Sequence, residues 1–222
     1  YDFELVDDDI FDSIRRAITT YRKETGIDPG LLFFDGENGG PEVAARVAQL
    51  PDHVIPWKIE EAGSTGPEIW LSAMAYGASS VTVMTTAKTP ASIVSSITDQ
   101  IGQANAFLFG LGWNELLVDS VTNQKLIGRL SDITTEASPN AKYATFGGMD
   151  EKRAVVRAAI DHLIGQAADL PTEIAMPSGS PFGEIQVDDE KCTMCMGCVS
   201  VCPTGAILDN KARPCLSFIE WN

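Results

Sequence analysis

The chain has 222 residues, 44% of them hydrophobic, enough for one full domain with a real core plus a small appendage. Its 31 acidic residues outnumber 16 basic ones, and the resulting net charge of −15 repels phosphate backbones, which argues against nucleic acid as a partner. No apolar run approaches the roughly 20 residues of a membrane span, and the acidic opening Tyr1-Asp2-Phe3-Glu4-Leu5-Val6-Asp7-Asp8-Asp9 is unlike a signal or transit peptide, so a cytoplasmic location is expected.

In chain order, the first predicted element is a helix from Asp9 to Thr25, with Ile10, Ile14, Ala17, Ile18 and Tyr21 on one face and Gly26 as its stop. Four short apolar runs follow, Leu31–Asp35, Val54–Trp57, Val81–Met84 and Leu116–Asp119. The stretches between them have helical periodicity. Pro41–Leu50 and Pro67–Tyr76 each start with proline at a first helical position. Ile93, Ile97, Ile101, Ala104 and Leu108 predict a helix from Thr89 to Leu111. Asp150 is placed to cap a last helix bearing Val156, Ile160, Leu163 and Ala167, while the region from Ile127 to Gly148 gives no clear pattern. Nearly continuous apolar strands alternating with helices call for a parallel sheet covered on both faces. The expected fold is therefore α/β: a small doubly wound, flavodoxin-like sheet over residues 1–169, then a linker at 170–182 rich in Pro, Gly and Ser, then a separate module at 183–222.

That last module carries the chemistry. Cys192, Cys195, Cys198 and Cys202, with Pro203 directly after, follow the spacing C-x2-C-x2-C-x3-C-P, the bacterial pattern for cubane iron-sulfur clusters. Two-residue spacers let three thiolates converge on one cluster while the tight loop turns amides toward the sulfurs. A four-thiolate zinc site is the main competitor, but such sites pair two knuckles across a longer loop and leave the Cys-Pro unexplained. Disulfides are disfavoured by the odd total of five cysteines and the lack of a secretory signal. The residues from about Gly183 to Asn222 resemble a two-cluster 4Fe-4S ferredoxin domain.

That resemblance implies Cys192, Cys195 and Cys198 as ligands of a first cluster and Cys202 as a ligand of a second, whose other ligands lie beyond Asn222. It implies a partial ferredoxin-like α+β module, with Arg213–Trp221 as the strand before a second cysteine run. With Tyr1 in place of a start methionine, the chain is expected to be cut from a longer protein holding two clusters. The isolated chain should bind cluster poorly. Cys215 lies outside the spacing and is expected as a small buried hydrophobe, with recruitment as a substitute fourth thiolate the alternative.

The first domain offers less. Asp35-Gly36-Glu37-Asn38-Gly39-Gly40-Pro41-Glu42 runs from a strand into a helix, yet it lacks the G-x-G-x-x-G spacing and a P-loop lysine, so a ligand-free tight turn is favoured over a phosphate cradle. His53 and His162, the only histidines, have no neighbouring nucleophile motif. Glu60 and Glu61 adjoin a strand end, either as an acid-base pair or, more plainly, as loop carboxylates near a helix start. Trp57, Trp70, Trp113 and Trp221 are expected in packing roles.

The order of segments over residues 29–165 resembles the delta subunit of methyl-viologen-reducing hydrogenase. The matching residues are Pro56, the stretch Glu60-Glu61-Ala62-Gly63-Ser64-Thr65-Gly66-Pro67-Glu68, and Ala75-Tyr76-Gly77-Ala78 before the third strand. The resemblance implies a domain that passes electrons between oxidoreductase subunits through a cysteine-bound cluster. Here Trp57 stands where that family has a cysteine, Thr85-Thr86-Ala87-Lys88 replaces a cysteine-containing loop, and the first 191 residues contain no cysteine. The functional expectation is an iron-sulfur electron carrier, or a non-catalytic subunit, working with redox partner proteins such as a hydrogenase or dehydrogenase. Two alternatives stay open: a docking scaffold with structural clusters, and a flavin-binding domain feeding a cluster.

Overall fold

The computed structural model describes residues 8–113, 117–133, 142–149, 152–182, 185–210, 213 and 215–218, the side chains of 8 and 9 aside. The chain divides into two compact units, residues 1–178 and 179–222.

In unit 1, helix α1 (Asp8–Thr25) leads into strand β1 (Gly30–Asp35), followed by α2 (Gly40–Arg46), β2 (Val54–Ile59), α3 (Pro67–Tyr76), β3 (Ser80–Thr85), α4 (Ala91–Gly110), β4 (Val118–Thr122), α5 (Leu126–Ser131) and α6 (Lys152–Ile164). The four strands form one parallel sheet in the order β2-β1-β3-β4. Its two faces are buried separately. Leu31 and Phe33 of β1 with Val81 and Val83 of β3 meet α1, α3, α4 and α6, whereas Leu32 and Met84 meet Val43 of α2 and Leu126 and Leu130 of α5. Alternation along each strand thus feeds two cores at once, which is why β1 and β3 read as nearly continuous apolar runs. This is the doubly wound α/β architecture the sequence predicts.

Helix α3 is buried along its length from Glu68 to Tyr76, with α1, α4 and α6 packed around it. A helix apolar on every side needs such an enclosed place. Gly77 ends it with φ +99°. A Cβ there would also sit 2.4 Å from the Tyr143 ring and 2.6 Å from an Arg22 guanidinium nitrogen, so glycine is required twice over. Those two residues belong to a polar staple across the bottom of the sheet. Arg22 Nε donates to Asp28 Oδ1 at 2.6 Å, an Arg22 amino group donates to the Tyr76 carbonyl at 2.8 Å, and the guanidinium lies 3.2 Å from the centre of the Tyr143 ring. Tyr143 donates to Asp28, and Tyr76 Oη donates to the Phe146 carbonyl at 2.9 Å. The stretch 142–149, which has no legible pattern in the sequence, is tied down by these bonds and by Ala144 N–H donating to the Ala75 carbonyl.

Both outer strands depart from the central pattern. Gly30 donates to the His53 carbonyl and Gly36 to the Ile59 carbonyl, so odd-numbered residues of β2 face β1 and Pro56 turns to the free side, where a missing N–H costs nothing. On the other edge Asn105, buried in α4, donates through Nδ2 to the Val118 carbonyl at 2.5 Å and accepts the Val118 N–H at 3.1 Å. One side-chain amide pairs both backbone groups of the first β4 residue. The sequence places this strand at Leu116–Asp119, two residues early; it runs Val118–Thr122, burying only Val118 and Val121, and Leu116 lies outside the described residues. The buried stripe of α6 is Val155, Ala159 and Leu163, one residue out of phase with the predicted Val156 and Ile160, which are half-buried. The cap expected of Asp150 falls outside the described residues.

Unit 2 holds one short helix, α7 (Gly197–Val201), and an antiparallel pair, β5 (Ile207–Asp209) with β6 (Leu216–Phe218). Among its described residues Ala206 is the buried apolar side chain, while Phe182, Ile185, Val187, Met194, Val201, Leu208 and Phe218 are exposed.

Candidate iron-sulfur centre

The cysteine run begins at a turn built on Asp188. The Asp188 carbonyl accepts the N–H of Lys191 at 3.1 Å and of Cys192 at 2.8 Å. Its carboxylate accepts the N–H groups of Glu190 and Lys191, each at 3.2 Å, and the Lys191 ammonium at 2.7 Å. These donors, led by Lys191, hold the Asp188 carboxyl below the usual range. Cys192 follows half-buried, Cys195 is exposed, Cys198 lies exposed on α7, and Cys202 is half-buried where α7 ends.

Between the first three thiols the backbone is unusual. Met194 has φ 55° and Met196 φ 60°, the only non-glycine residues on the left-handed side among those described. Each such placement costs a side-chain-bearing residue about 1–2 kcal/mol. What it gives in return is a concave loop around Cys195 with amides turned inward. The Gly197 N–H donates to the Cys195 sulfur, the Thr193 hydroxyl adds a second bond, and together they lower the thiol below its ordinary value. At Cys202 the Thr204 hydroxyl lies 3.6 Å from the sulfur. With the N–H groups of Ile207, Ala206 and Thr204 behind it, that hydroxyl brings the Cys202 thiol down to about 7. Two of the four thiols are thus polarised by donors that favour thiolate, the form that binds metal.

This donor set suits a cluster of soft iron and sulfide: thiolates, a tight loop, and N–H and O–H donors aimed at sulfur. Among the described residues no three His, Cys, Asp or Glu side chains gather closely enough to share a single metal ion. A cubane takes its thiolates on separate irons, so its ligands surround a larger body than one ion. Cys215 is half-buried and directly precedes β6, its carbonyl accepting the Asn210 N–H at 3.1 Å across the hairpin.

Other candidates of the sequence sort themselves in unit 1. The turn after β1 closes on itself: burial pushes the Asp35 carboxyl up, but bonds from the Asn38 N–H and side-chain amide and the Glu37 N–H, at 2.8–3.0 Å, outweigh it and lower it overall. Gly39 donates to the Asp35 carbonyl at 2.8 Å, and a Cβ on it would strike Met84. The acceptors of Asp35 are thus spent within its own loop. His162 Nε2 bonds the Lys142 carbonyl at 2.7 Å, which makes it a tether for the 142–149 stretch. His53 is half-buried in the turn before β2. Glu60 and Glu61 are both exposed; the sequence missed that the buried acid nearby is Glu68, paired with Lys152 at 3.1 Å. Trp70 is fully buried and donates to Thr65, and Trp57 and Trp113 pack against the same core. Trp221 lies outside the described residues.

Residues 185–208, which contain the whole cysteine run, match the model of the 4Fe-4S binding domain family. No curated protein and no solved structure matches the chain. Unit 2 thus carries a segment similar to 4Fe-4S binding domains, a class that serves electron transfer. No helix among the described residues is long and apolar enough to cross a membrane.

Proposed function

We propose that this protein is an electron carrier, or a non-catalytic subunit of a larger oxidoreductase, in which Cys192, Cys195 and Cys198 hold one 4Fe-4S cluster and Cys202 is a ligand of a second. The observation that carries this is the coincidence of the C-x2-C-x2-C-x3-C-P run, the family match and the donors aimed at Cys195 and Cys202. A bound cluster supplies reversible one-electron chemistry. The chain supplies the thiolates and stabilises their charge: each N–H or O–H donor to sulfur favours the more negative, reduced state and raises the potential. Exposure of Cys195 and Cys198 puts the centre at the surface of its unit, within reach of a redox partner.

Unit 1 has no cysteine, so its part is to dock such a partner, a hydrogenase or dehydrogenase subunit by its resemblance to the hydrogenase delta domain. A second reading, a scaffold whose cluster is purely structural, is favoured by the scarcity of buried apolar side chains among the described residues of unit 2. Anaerobic reconstitution of the full native protein followed by paramagnetic resonance of its reduced form separates them. We expect a reversible signal that Cys195→Ser abolishes along with electron transfer to an acceptor, while the melt of unit 1 is unchanged. A signal that survives in Cys195→Ser overturns the ligand assignment; electron transfer that survives its loss supports the scaffold.

A further inference from the structure

The turn before Cys192 has no packing to hold it, since Ala206 is the buried apolar side chain of its unit among the described residues. Local hydrogen bonds must do what a core does elsewhere. Five of those among the described residues converge on one residue. Asp188 accepts the amides of Glu190 and Lys191 on its carboxylate and those of Lys191 and Cys192 on its carbonyl, while its second carboxylate oxygen holds the Lys191 ammonium. The 2.8 Å bond from Cys192 N–H is the shorter of the two to the Asp188 carbonyl. It fixes the backbone from which the first thiol projects.

We propose that Asp188 is the positioning residue for Cys192, preforming the turn that presents this thiol to iron before any metal arrives. This goes beyond the ligand assignment and rests on the proposed cluster role. The pair with Lys191 is the lesser part, because both side chains are well exposed and surface ion pairs stabilise little. The amide-accepting oxygen is the greater part, and asparagine retains such an oxygen in an Asx turn. A purely electrostatic role for Asp188 would make Asp188→Asn as damaging as Asp188→Ala; a turn-forming role would not.

The test uses the full native protein as wild type, Asp188→Ala, Asp188→Asn and Lys191→Met. Hydrogen exchange at the Lys191 and Cys192 amides is measured without metal, and iron loss to a chelator after anaerobic reconstitution with ferrous iron and sulfide. Asp188→Ala should exchange about tenfold faster at both amides and lose iron about tenfold faster. Asp188→Asn and Lys191→Met should stay within about twofold of wild type in both. Unchanged exchange in Asp188→Ala, or faster exchange with undiminished iron retention, overturns the positioning role. Failure of Asp188→Asn to rescue overturns it as well. A full native protein that takes up no iron overturns instead the cluster reading on which the inference rests, so the two failures are told apart.

Discussion

The two units are stabilised by different means. Unit 1 buries both faces of its sheet and every residue of α3 from Glu68 to Tyr76, and each large apolar side chain so enclosed stabilises it by about 1.5–3 kcal/mol. Unit 2 leaves Phe182, Val201 and Phe218 in water and relies on turns and hydrogen bonds around its thiols. Little apolar surface is enclosed among the described residues of unit 2, whereas unit 1 encloses two apolar clusters.

The largest effect that would break this contrast comes from the core. Trp70→Ala, at a fully buried site that also donates to Thr65, should destabilise unit 1 by about 3–5 kcal/mol in urea unfolding followed by fluorescence, without altering iron uptake by unit 2. A parallel loss of iron uptake would show that the units fold as one. Next, Asn105→Leu strips both partners from Val118 and should cost about 2–3 kcal/mol in the same measurement. Gly77→Ala, forced to φ +99° against Tyr143, should cost about 1–3 kcal/mol.

The smallest effect sharpens the other side. In the metal-free chain the alkylation rate of Cys202 should have its midpoint near pH 7, and Thr204→Val should move that midpoint up, since the hydroxyl is the largest cause of the lowered thiol. A group lowered from 9.0 to about 7 on folding contributes stability fully above 9.0, and that contribution is lost as pH falls through about 7. A midpoint that Thr204→Val leaves in place would mean the backbone amides alone polarise this sulfur.

Much of the fold is legible in the residues. The alternation of apolar runs with helical stretches leads to the doubly wound sheet because both faces of β1 and β3 are buried, and a nearly continuous apolar strand suits few settings besides the middle of a covered sheet. The edge strand is harder: Asp119, Ser120 and Thr122 carry no apolar signal, and the strand extends past where hydrophobicity ends. The 142–149 stretch is illegible because hydrogen bonds from Tyr76 and Ala75, distant in sequence, fix it. At the cysteine site the spacing alone points to the chemistry, since ligand geometry is written into short intervals. Asp188, Thr193 and Thr204 stay hidden because an isolated Asp or Thr in a polar loop has no periodicity to distinguish it from its neighbours.

The pairing of Val118 with a side chain instead of another strand has a consequence for how this molecule behaves in company. Open sheet edges recruit strands from neighbouring chains and seed aggregation. Here one rim begins with backbone groups already occupied by Asn105, and the other presents Pro56, which has no hydrogen to offer, beside the charge of Lys58. Val118 and Pro56 thus each remove a place at which an incoming strand could pair.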